Sequence, residues 1–171
     1  MTHPMEHPSH ADVPAGLYHA FFAQSPVGCG ISDERGVLMD FNDAMRAYGG
    51  WGREYVMALG SVTALYYDGP AERDRLLGIA RAKGMLVREE VRFKKKDGGF
   101  FWAAMSLRPA AVEGKRYWLA VVEDISAAKA VQAERDRQMG ELQRLTRMMA
   151  DRENKMVELK EKIRKLEEGA P

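Results

Sequence analysis

The last third of the chain carries an uninterrupted helical pattern with apolar residues at heptad spacing. The residues on the a and d positions of one register are Leu142, Leu145, Met149, Met156, Leu159, Ile163 and Leu166. Arg152 is the one residue that interrupts this seam between 142 and 166. So long a helix cannot fold back along its whole length onto a small domain, and its narrow apolar stripe suits a second helix. The pattern predicts a coiled-coil helix over 126–168 and a parallel homodimer through the seam.

The rest of the chain has the size and composition of one soluble domain. About 125 residues remain beside the helix, enough for a single hydrophobic core. The formal net charge of +1 does not indicate nucleic acid or an anionic membrane as a partner. A single cysteine, Cys29, excludes an internal disulfide and fits a reducing compartment. No apolar run reaches the roughly 18 residues of a membrane span, so we expect a cytoplasmic protein.

The first thirteen residues differ in composition from the rest of the chain. Residues 1–13 combine three histidines with prolines and little apolar surface, which predicts a disordered tail. His3, His7 and His10 have spacings that suit metal binding on a helix, but the nearby prolines oppose a helix there. We therefore expect no metal site in this tail and place the domain at 14–125.

Within the domain, the pattern predicts two strands, then small helices, then three further strands. A short amphipathic helix is expected over 14–23, with Leu17, Phe21 and Phe22 as its apolar residues. Strand alternation places Cys29 on an apolar face with Val27 and Ile31. The further elements expected are a strand over 37–41, helices over 43–48, 53–59 and 71–82, and strands over 85–95, 99–110 and 115–124.

Tight turns join the last three strands. Asp97-Gly98 and Glu113-Gly114 supply a glycine where a hairpin needs a positive φ. Three antiparallel strands after a run of helices indicate an α+β domain: a five-stranded antiparallel sheet with small helices gathered on one face.

The order of these elements, together with several short segments, resembles the PAS sensor domain over about residues 15–126. The segments that carry the resemblance are Gly30-Ile31-Ser32-Asp33, Phe41-Asn42-Asp43-Ala44, Gly50-Trp51-Gly52-Arg53-Glu54, Lys95-Lys96-Asp97-Gly98 with Phe101-Trp102, and Val122-Glu123-Asp124-Ile125-Ser126. The long helix resembles the linkers between PAS domains and the output domains of bacterial kinases and cyclases. The resemblance implies a sensory and dimerisation role, with an output domain absent from this chain.

The resemblance limits the cofactors to consider to those that PAS domains bind, but the sequence does not identify one of them. A photoreceptor's reactive cysteine would lie in the helical region, yet 43–83 has none, so Cys29 is interpreted as a packing residue. Haem is disfavoured, because no histidine follows His19. A methionine ligand stays open, from among Met39, Met45, Met57, Met85 and Met105. A non-covalent flavin stays open, since Trp102 and Trp118 on adjacent strands could flank a ring, although such pairs also stabilise ordinary sheets.

One charged residue breaks the apolar pattern of the third strand. Glu89 shares the predicted core face with Val87, Val91 and Phe93. A buried carboxylate is costly unless it is paired or neutralised. Glu89 therefore lies at a wet edge, pairs with an arginine, or lines a polar pocket. Any ligand is expected between the inner face of the sheet and the helices, lined by Glu89 and Met105 with Cys29 nearby.

The chain shows no motif of a catalyst. It lacks a glycine-rich phosphate loop, His-Glu-x-x-His and Gly-x-Ser-x-Gly, and residues 126–171 contain no histidine to accept a phosphoryl group. Two hypotheses remain. The chain is the sensor module of a bacterial signal-transduction protein, as in two-component systems, or it is a constitutive homodimeric interaction module without a ligand.

The junction between sheet and helix is the expected point of signal coupling. Asp124, Ile125 and Ser126 come directly at the end of the last strand, so a shift of that strand acts on the start of the helix. Ser126 suits an N-cap, and Asp124 can accept bonds from nearby amides. A cap without a signalling role is the alternative.

Overall fold

A five-stranded antiparallel sheet forms the centre of the domain, with strand order β2-β1-β5-β4-β3. The structure is a computed structural model that describes residues 14–168, with side chains for residue 14 and for 16–165. The elements are α1 (Ala15–Gln24), β1 (Gly28–Asp33), β2 (Leu38–Phe41), α2 (Asp43–Gly49), α3 (Arg53–Ala58), a 3-10 helix (Val62–Leu65), α4 (Pro70–Lys83), β3 (Leu86–Lys94), β4 (Phe100–Val112), β5 (Lys115–Asp124) and α5 (Ser126–Glu168). The predicted α+β fold is confirmed, while the predicted tail 1–13 lies outside the described residues.

Glycines set the turns that the sequence predicted. Gly98 and Gly114 adopt φ values of +88° and +74° in the two hairpins. Gly84, with φ +75°, ends α4 in the left-handed conformation, and Pro70 occupies the first turn of that helix. These positions account for the close match between predicted and observed element boundaries. The 3-10 helix, which has no apolar period of its own, was not predicted.

The core lies between the inner face of the sheet and α4. Leu76 and Ala80 of α4 are fully buried, as are Ala103 of β4 and Val122 of β5. The other buried core residues include Tyr66, Leu77, Leu86, Val91, Phe93, Phe101, Met105, Leu107 and Trp118. Burying this apolar surface supplies the main favourable free energy of the fold.

The predicted inner face of β1 is wrong. Gly28 and Gly30 are the buried residues and pair with Val122 and Ala120, whereas Cys29 turns to the outer face and pairs with Val121. A Cβ atom at Gly28 would meet the Met45 sulfur at 3.0 Å and the Val122 carbonyl oxygen at 3.1 Å. The second helix approaches β1 so closely that only glycine fits at position 28, and strand alternation then turns Cys29 outward.

The predicted face of β3 is wrong at its start. The register shifts between Leu86 and Glu89, and Arg88 within this β-bulge has φ +50°. Leu86 is therefore buried, and Val87, which was expected in the core, is 57% exposed. After the bulge the predicted alternation holds, with Glu89 opposite Met105 and Val91 opposite Ala103.

The fifth helix runs without a break from Ser126 to Glu168, through Gly140 and Arg152. The chain divides into two units between Ser126 and Ala127. Every described residue of the predicted seam is exposed, from 49% at Leu159 to 70% at Met149. The seam side chain of Leu166 lies outside those described. Within residues 14–168 we find no helix that combines the length and the apolar character of a membrane span.

Candidate functional site

A buried asparagine fixes the second helix over the sheet. Asn42 accepts a hydrogen bond at Oδ1 from the Met45 amide at 3.1 Å, which caps α2. The same oxygen accepts from the Cys29 amide at 2.9 Å, and Nδ2 donates to the Val27 carbonyl at 2.9 Å. Because one side chain bonds both the start of α2 and the backbone around β1, the helix is held at a fixed height above the inner face.

This arrangement leaves an apolar cavity of about 90 Å³ between the inner face and the short helices. Its lining comes from α2, α3, the 3-10 helix and all five strands, and includes Met45, Val56, Leu65, Phe93, Met105 and Val122. The cavity lies where the sequence predicted a ligand pocket. Of the predicted pocket residues, Met105 lines it.

Tyr66 places a hydroxyl group in this apolar lining. The residue is 5% exposed, and its hydroxyl donates to the Met105 sulfur at 3.5 Å. Its ring packs on Phe93, with a centroid distance of 4.9 Å. Burial raises the pKa of Tyr66, so the group stays a neutral hydrogen-bond donor across the physiological range. A thioether is a weak acceptor, which leaves this donor poorly satisfied.

Glu89 and Cys29 lie outside this lining among the described residues. Glu89 is half-buried on β3, at the edge of the sheet, which agrees with the wet-edge interpretation. Glu72 hydrogen-bonds Arg75 and raises its pKa, and the charge of Glu89 adds to that rise. The Cys29 sulfur donates to Ser25 Oγ at 3.6 Å, on the outer side of β1. Glu89 keeps its predicted face but lies closer to the start of edge strand β3 than Phe93, which lines the cavity. Cys29 is turned to the outer face of β1 because Gly28 and Gly30 take the inner one.

The two tryptophans do not form a pair. Trp118 points inward, is 8% exposed and lies opposite Pro109 on β4. Trp102 alternates with the buried Phe101 and Ala103, so its ring lies on the outer face. The two rings therefore lie on opposite faces of the sheet and cannot flank one ligand. Trp118 also lines a separate surface groove of about 510 Å³ with Arg81 and Arg116.

An aromatic cluster surrounds Arg92 on the outer face; we call Tyr67, Arg92, Phe100 and Trp102 the Arg92 cluster. The guanidinium carbon lies 5.1 Å from the ring centroids of Tyr67 and Phe100 and 5.6 Å from that of Trp102. Asp68 binds the guanidinium at two nitrogens, with Nε at 2.9 Å from Oδ2, and raises the pKa of Arg92. This geometry holds the cation within about 6 Å of three ring centroids, the range of a cation–π contact.

The backbone of Trp102 joins this cluster to the start of α5. Its amide donates to Ser126 Oγ at 3.0 Å, and its carbonyl accepts from the Ile125 amide at 2.9 Å. Asp124 accepts from the Ser126 amide at 2.8 Å, as predicted for this carboxylate. The Ser126 hydroxyl thus bonds a neighbouring strand, a role that the predicted N-cap did not include. Through these bonds, Ile125 and Ser126 continue the pairing of β5 with β4 up to the start of α5.

The lining was tested against the cofactors that the resemblance implies. Among residues 14–168 the one histidine, His19 on α1, is exposed and does not line the cavity. An apolar cavity of about 150 Å³ holds benzene, so a space of about 90 Å³ is too small, in this conformation, to enclose a porphyrin or a three-ring isoalloxazine. The described residues also contain no cluster of three or more His, Cys, Asp or Glu that could hold a metal ion. In this conformation the cavity therefore fits neither haem nor flavin on the ground of its size.

Comparison with known proteins agrees with this architecture. The model of the PAS fold family matches residues 16–125. The chain therefore belongs to the PAS family. A PAS domain of a protein from Colwellia psychrerythraea superposes with a TM-score of 0.57 at 21% identity, covering 66% of this chain and 97% of that one. A PAS domain from a two-component sensor histidine kinase gives a TM-score of 0.56 at 16% identity, covering 64% of this chain and 94% of that one.

A relative in sequence is the oxygen sensor protein DosP of Escherichia coli strain K12. The two are 32% identical over 130 residues, which cover 72% of this chain and 16% of that protein. The chain is thus a PAS sensor domain related to a signal-transduction protein and spans a small part of its relative's length.

Sequence reasoning missed Tyr66 and the Arg92 cluster. The Tyr66-Tyr67 pair lies in a segment without regular period, where nothing indicates which ring points inward. A usable signal was present in β3 and β4, because Arg92 and Trp102 both fall on the face opposite the apolar one. Their register across the hairpin would have placed them side by side.

Proposed function

We propose that this chain is a non-catalytic sensory and dimerisation module, in which the state of the cavity is relayed to a coiled coil formed by α5. The observation that carries the proposal is the double attachment of Trp102, whose backbone bonds Ile125 and Ser126 while its ring contacts Arg92. A residue bonded in this way transmits a displacement of the sheet to the first turn of the helix.

The cavity and the junction are linked through a pair of neighbouring tyrosines. Tyr66 faces the cavity and forms a bridge with Phe93, while Tyr67 faces outward and its amide donates to the Arg92 carbonyl at 2.9 Å. A ligand that displaces the ring of Tyr66 therefore shifts Tyr67 against the Arg92 cluster. Trp102 belongs to that cluster and is bonded to the junction, so the path from cavity to helix is short and physically continuous.

A second copy of the chain is the proposed partner of α5. Its seam residues are apolar and exposed, which leaves a stripe that a parallel coiled coil would bury. Polar residues at Arg135, Gln138 and Arg152 in the same register weaken the pairing locally and make alternative registers easier to reach. The proposed output is a change in helix pairing that an output domain attached to α5 would sense.

Cysteine cross-linking of the full-length chain tests this relay. Cys29 is first replaced by alanine, and single cysteines are then placed along residues 128–149. The test variant is Ser126→Ala, which removes the acceptor of the Trp102 amide. The matched control is Ser106→Ala, because Ser106 Oγ accepts from the Arg88 amide at the same distance of 3.0 Å, but at the bulge in β3.

The proposal predicts that Ser126→Ala changes which positions cross-link, while Ser106→Ala leaves the pattern of the parent chain. Both variants should retain the folded domain by circular dichroism, since each loses a single hydrogen bond worth about 1 kcal/mol. Asp124→Ala should act in the same direction as Ser126→Ala, because it removes the other side-chain bond at the junction. Identical patterns in all four proteins would favour the constitutive interaction module and refute the relay.

A further inference from the structure

We propose that the cavity binds a small neutral molecule with an apolar body and one hydrogen-bond acceptor, held by the hydroxyl of Tyr66. This inference rests on the proposed sensory function, for which it names the class of ligand. It is carried by three properties of the cavity: its volume, the single donor on Tyr66 and the position of its charged residues.

The volume limits the size of the ligand. An apolar cavity of about 150 Å³ holds benzene, whereas one water molecule occupies about 30 Å³ of liquid. The cavity here, at about 90 Å³, lies between these limits. A ligand that is enclosed here, with Met105 as the one wall residue that moves aside, is therefore about the size of benzene or smaller. The apolar lining, including Val56, Leu65 and Val122, indicates a hydrocarbon body.

The donor on Tyr66 sets the polar requirement. Its hydroxyl is buried and bonded at 3.5 Å to the Met105 sulfur, a weak acceptor. A carbonyl or ether oxygen that replaces the sulfur would satisfy this donor better, and the flexible Met105 side chain can move aside. Tyr66 therefore selects an oxygen acceptor within an apolar space.

The charged residues of the lining favour a neutral ligand. Arg46 and Lys94 both contribute to the cavity wall, but both are exposed, and the Arg46 guanidinium is paired with Asp43 at 3.1 Å. A charge on the ligand would thus meet a counter-ion only at the rim. Beside Tyr66 it would be buried without a partner, which costs several kcal/mol.

Binding of two matched probes to the full-length chain tests the inference. Butan-2-one and 2-methylbut-1-ene have the same size and shape, and only the ketone has an oxygen acceptor. Dissociation constants are measured from the shifts of ¹³C-labelled methionine methyl groups, read at Met45 and Met105, which both line the cavity. For each protein we take the ratio of the two dissociation constants, and we compare this ratio between proteins. The greater hydration of the free ketone is the same in every measurement and therefore cancels in that comparison.

The variants are Tyr66→Phe, Met105→Leu and the matched control Tyr67→Phe, which removes the same hydroxyl from the neighbouring ring outside the cavity. Tyr66→Phe should lower the preference for the ketone about two- to tenfold, the effect of one net hydrogen bond. Met105→Leu, read at Met45, should raise the preference, because the donor is released from sulfur. Tyr67→Phe should leave the ratio unchanged.

Equal ratios in the parent chain and Tyr66→Phe would overturn the assignment of the hydroxyl, as would an equal change in Tyr67→Phe. Failure of both probes to shift the Met45 and Met105 methyl groups in a saturable way would overturn the ligand class itself. These readouts lie inside the cavity, whereas the relay is read by cross-linking of α5. Binding with the predicted selectivity but without a change in cross-linking would therefore retain the inference and refute the proposed function.

Discussion

The domain and the fifth helix use similar apolar residues in opposite ways. In the domain, Leu76 and Val122 are fully buried, and Met105 is 2% exposed. In α5, Leu145 and Met149 are 52% and 70% exposed. The residue types are alike, so the difference arises from their spacing and from the elements that lie opposite each face.

Spacing decides whether a single chain can bury its own apolar surface. The alternating strands of the domain turn one face toward α4, and the two layers cover each other within one chain. The heptad stripe of α5 is narrow and faces no second layer of its own unit. We infer that the domain folds as one chain, whereas the helix depends on a second copy for most of its stability.

The largest expected effect comes from charging the seam. Leu145→Asp combined with Leu159→Asp should raise the dimer dissociation constant more than about a thousandfold, because four buried leucines are lost per dimer. Analytical ultracentrifugation should find monomers with an intact domain. The control is Ala150→Asp with Val157→Asp, which adds the same charges outside the seam and should leave the dimer. A fully dimeric seam variant would place the main interface elsewhere, with α1 and its Leu17, Phe21 and Phe22 as the next candidate.

A core substitution should affect the domain and spare the helix. Leu76→Ala removes a fully buried side chain and should lower the free energy of unfolding of the domain by about 3–4 kcal/mol. Denaturant unfolding followed by tryptophan fluorescence, to which buried Trp118 contributes, measures it. Leu119→Ala, at a leucine that is 41% exposed, should cost less than about 1 kcal/mol. If the loss of unfolding free energy caused by Leu76→Ala depends on protein concentration, domain stability requires the dimer. That result would contradict the inference that the domain folds as one chain.

The smallest expected effect is a pH dependence confined to the domain. Burial raises the pKa of Asp33, but hydrogen bonds from the Val37 amide and from Arg35 outweigh it, and the net pKa is lowered. A lowered folded-state pKa contributes stability above the unfolded value of about 3.9, and this is lost as pH falls through the folded value. Asp33→Asn should therefore reduce the loss of domain stability below about pH 4 in denaturant titrations. Parallel profiles of both proteins from pH 6 to pH 3 would contradict it.

The fold could be predicted because its signals are local. Glycines at the hairpins, Asn42 at the start of α2 and the heptads of α5 each act within a few residues of their own position. The faces of β1 and β3 were predicted wrongly because they depend on tertiary contacts. Gly28 is buried by the approach of Met45, and Val87 is turned outward by the bulge at Arg88.

The cavity site was predicted less completely than the fold. Met105 follows from strand alternation, and the location between sheet and helices follows from the family resemblance. Tyr66 could not be found in this way, since the direction of its ring is set by the bridge to Phe93 across the chain. Trp102 was expected beside a ligand, yet its ring lies on the outer face and its backbone bonds the junction.

The central claim is that two copies pair in parallel through α5, so that both domains act on the same end of the coiled coil. Ala130 lies near the start of α5 at a position outside the seam. A spin label attached to the cysteine of Ala130→Cys, in the Cys29→Ala background, measures the distance between the two helix starts and so reports their relative orientation. In a parallel pair the helix axes are 8–10 Å apart, so pulsed dipolar spectroscopy should give one distance below about 25 Å. An antiparallel pair centred on the seam would separate the labels by about 72 Å at 1.5 Å per residue. That longer distance, or the absence of any dipolar signal, would contradict the account.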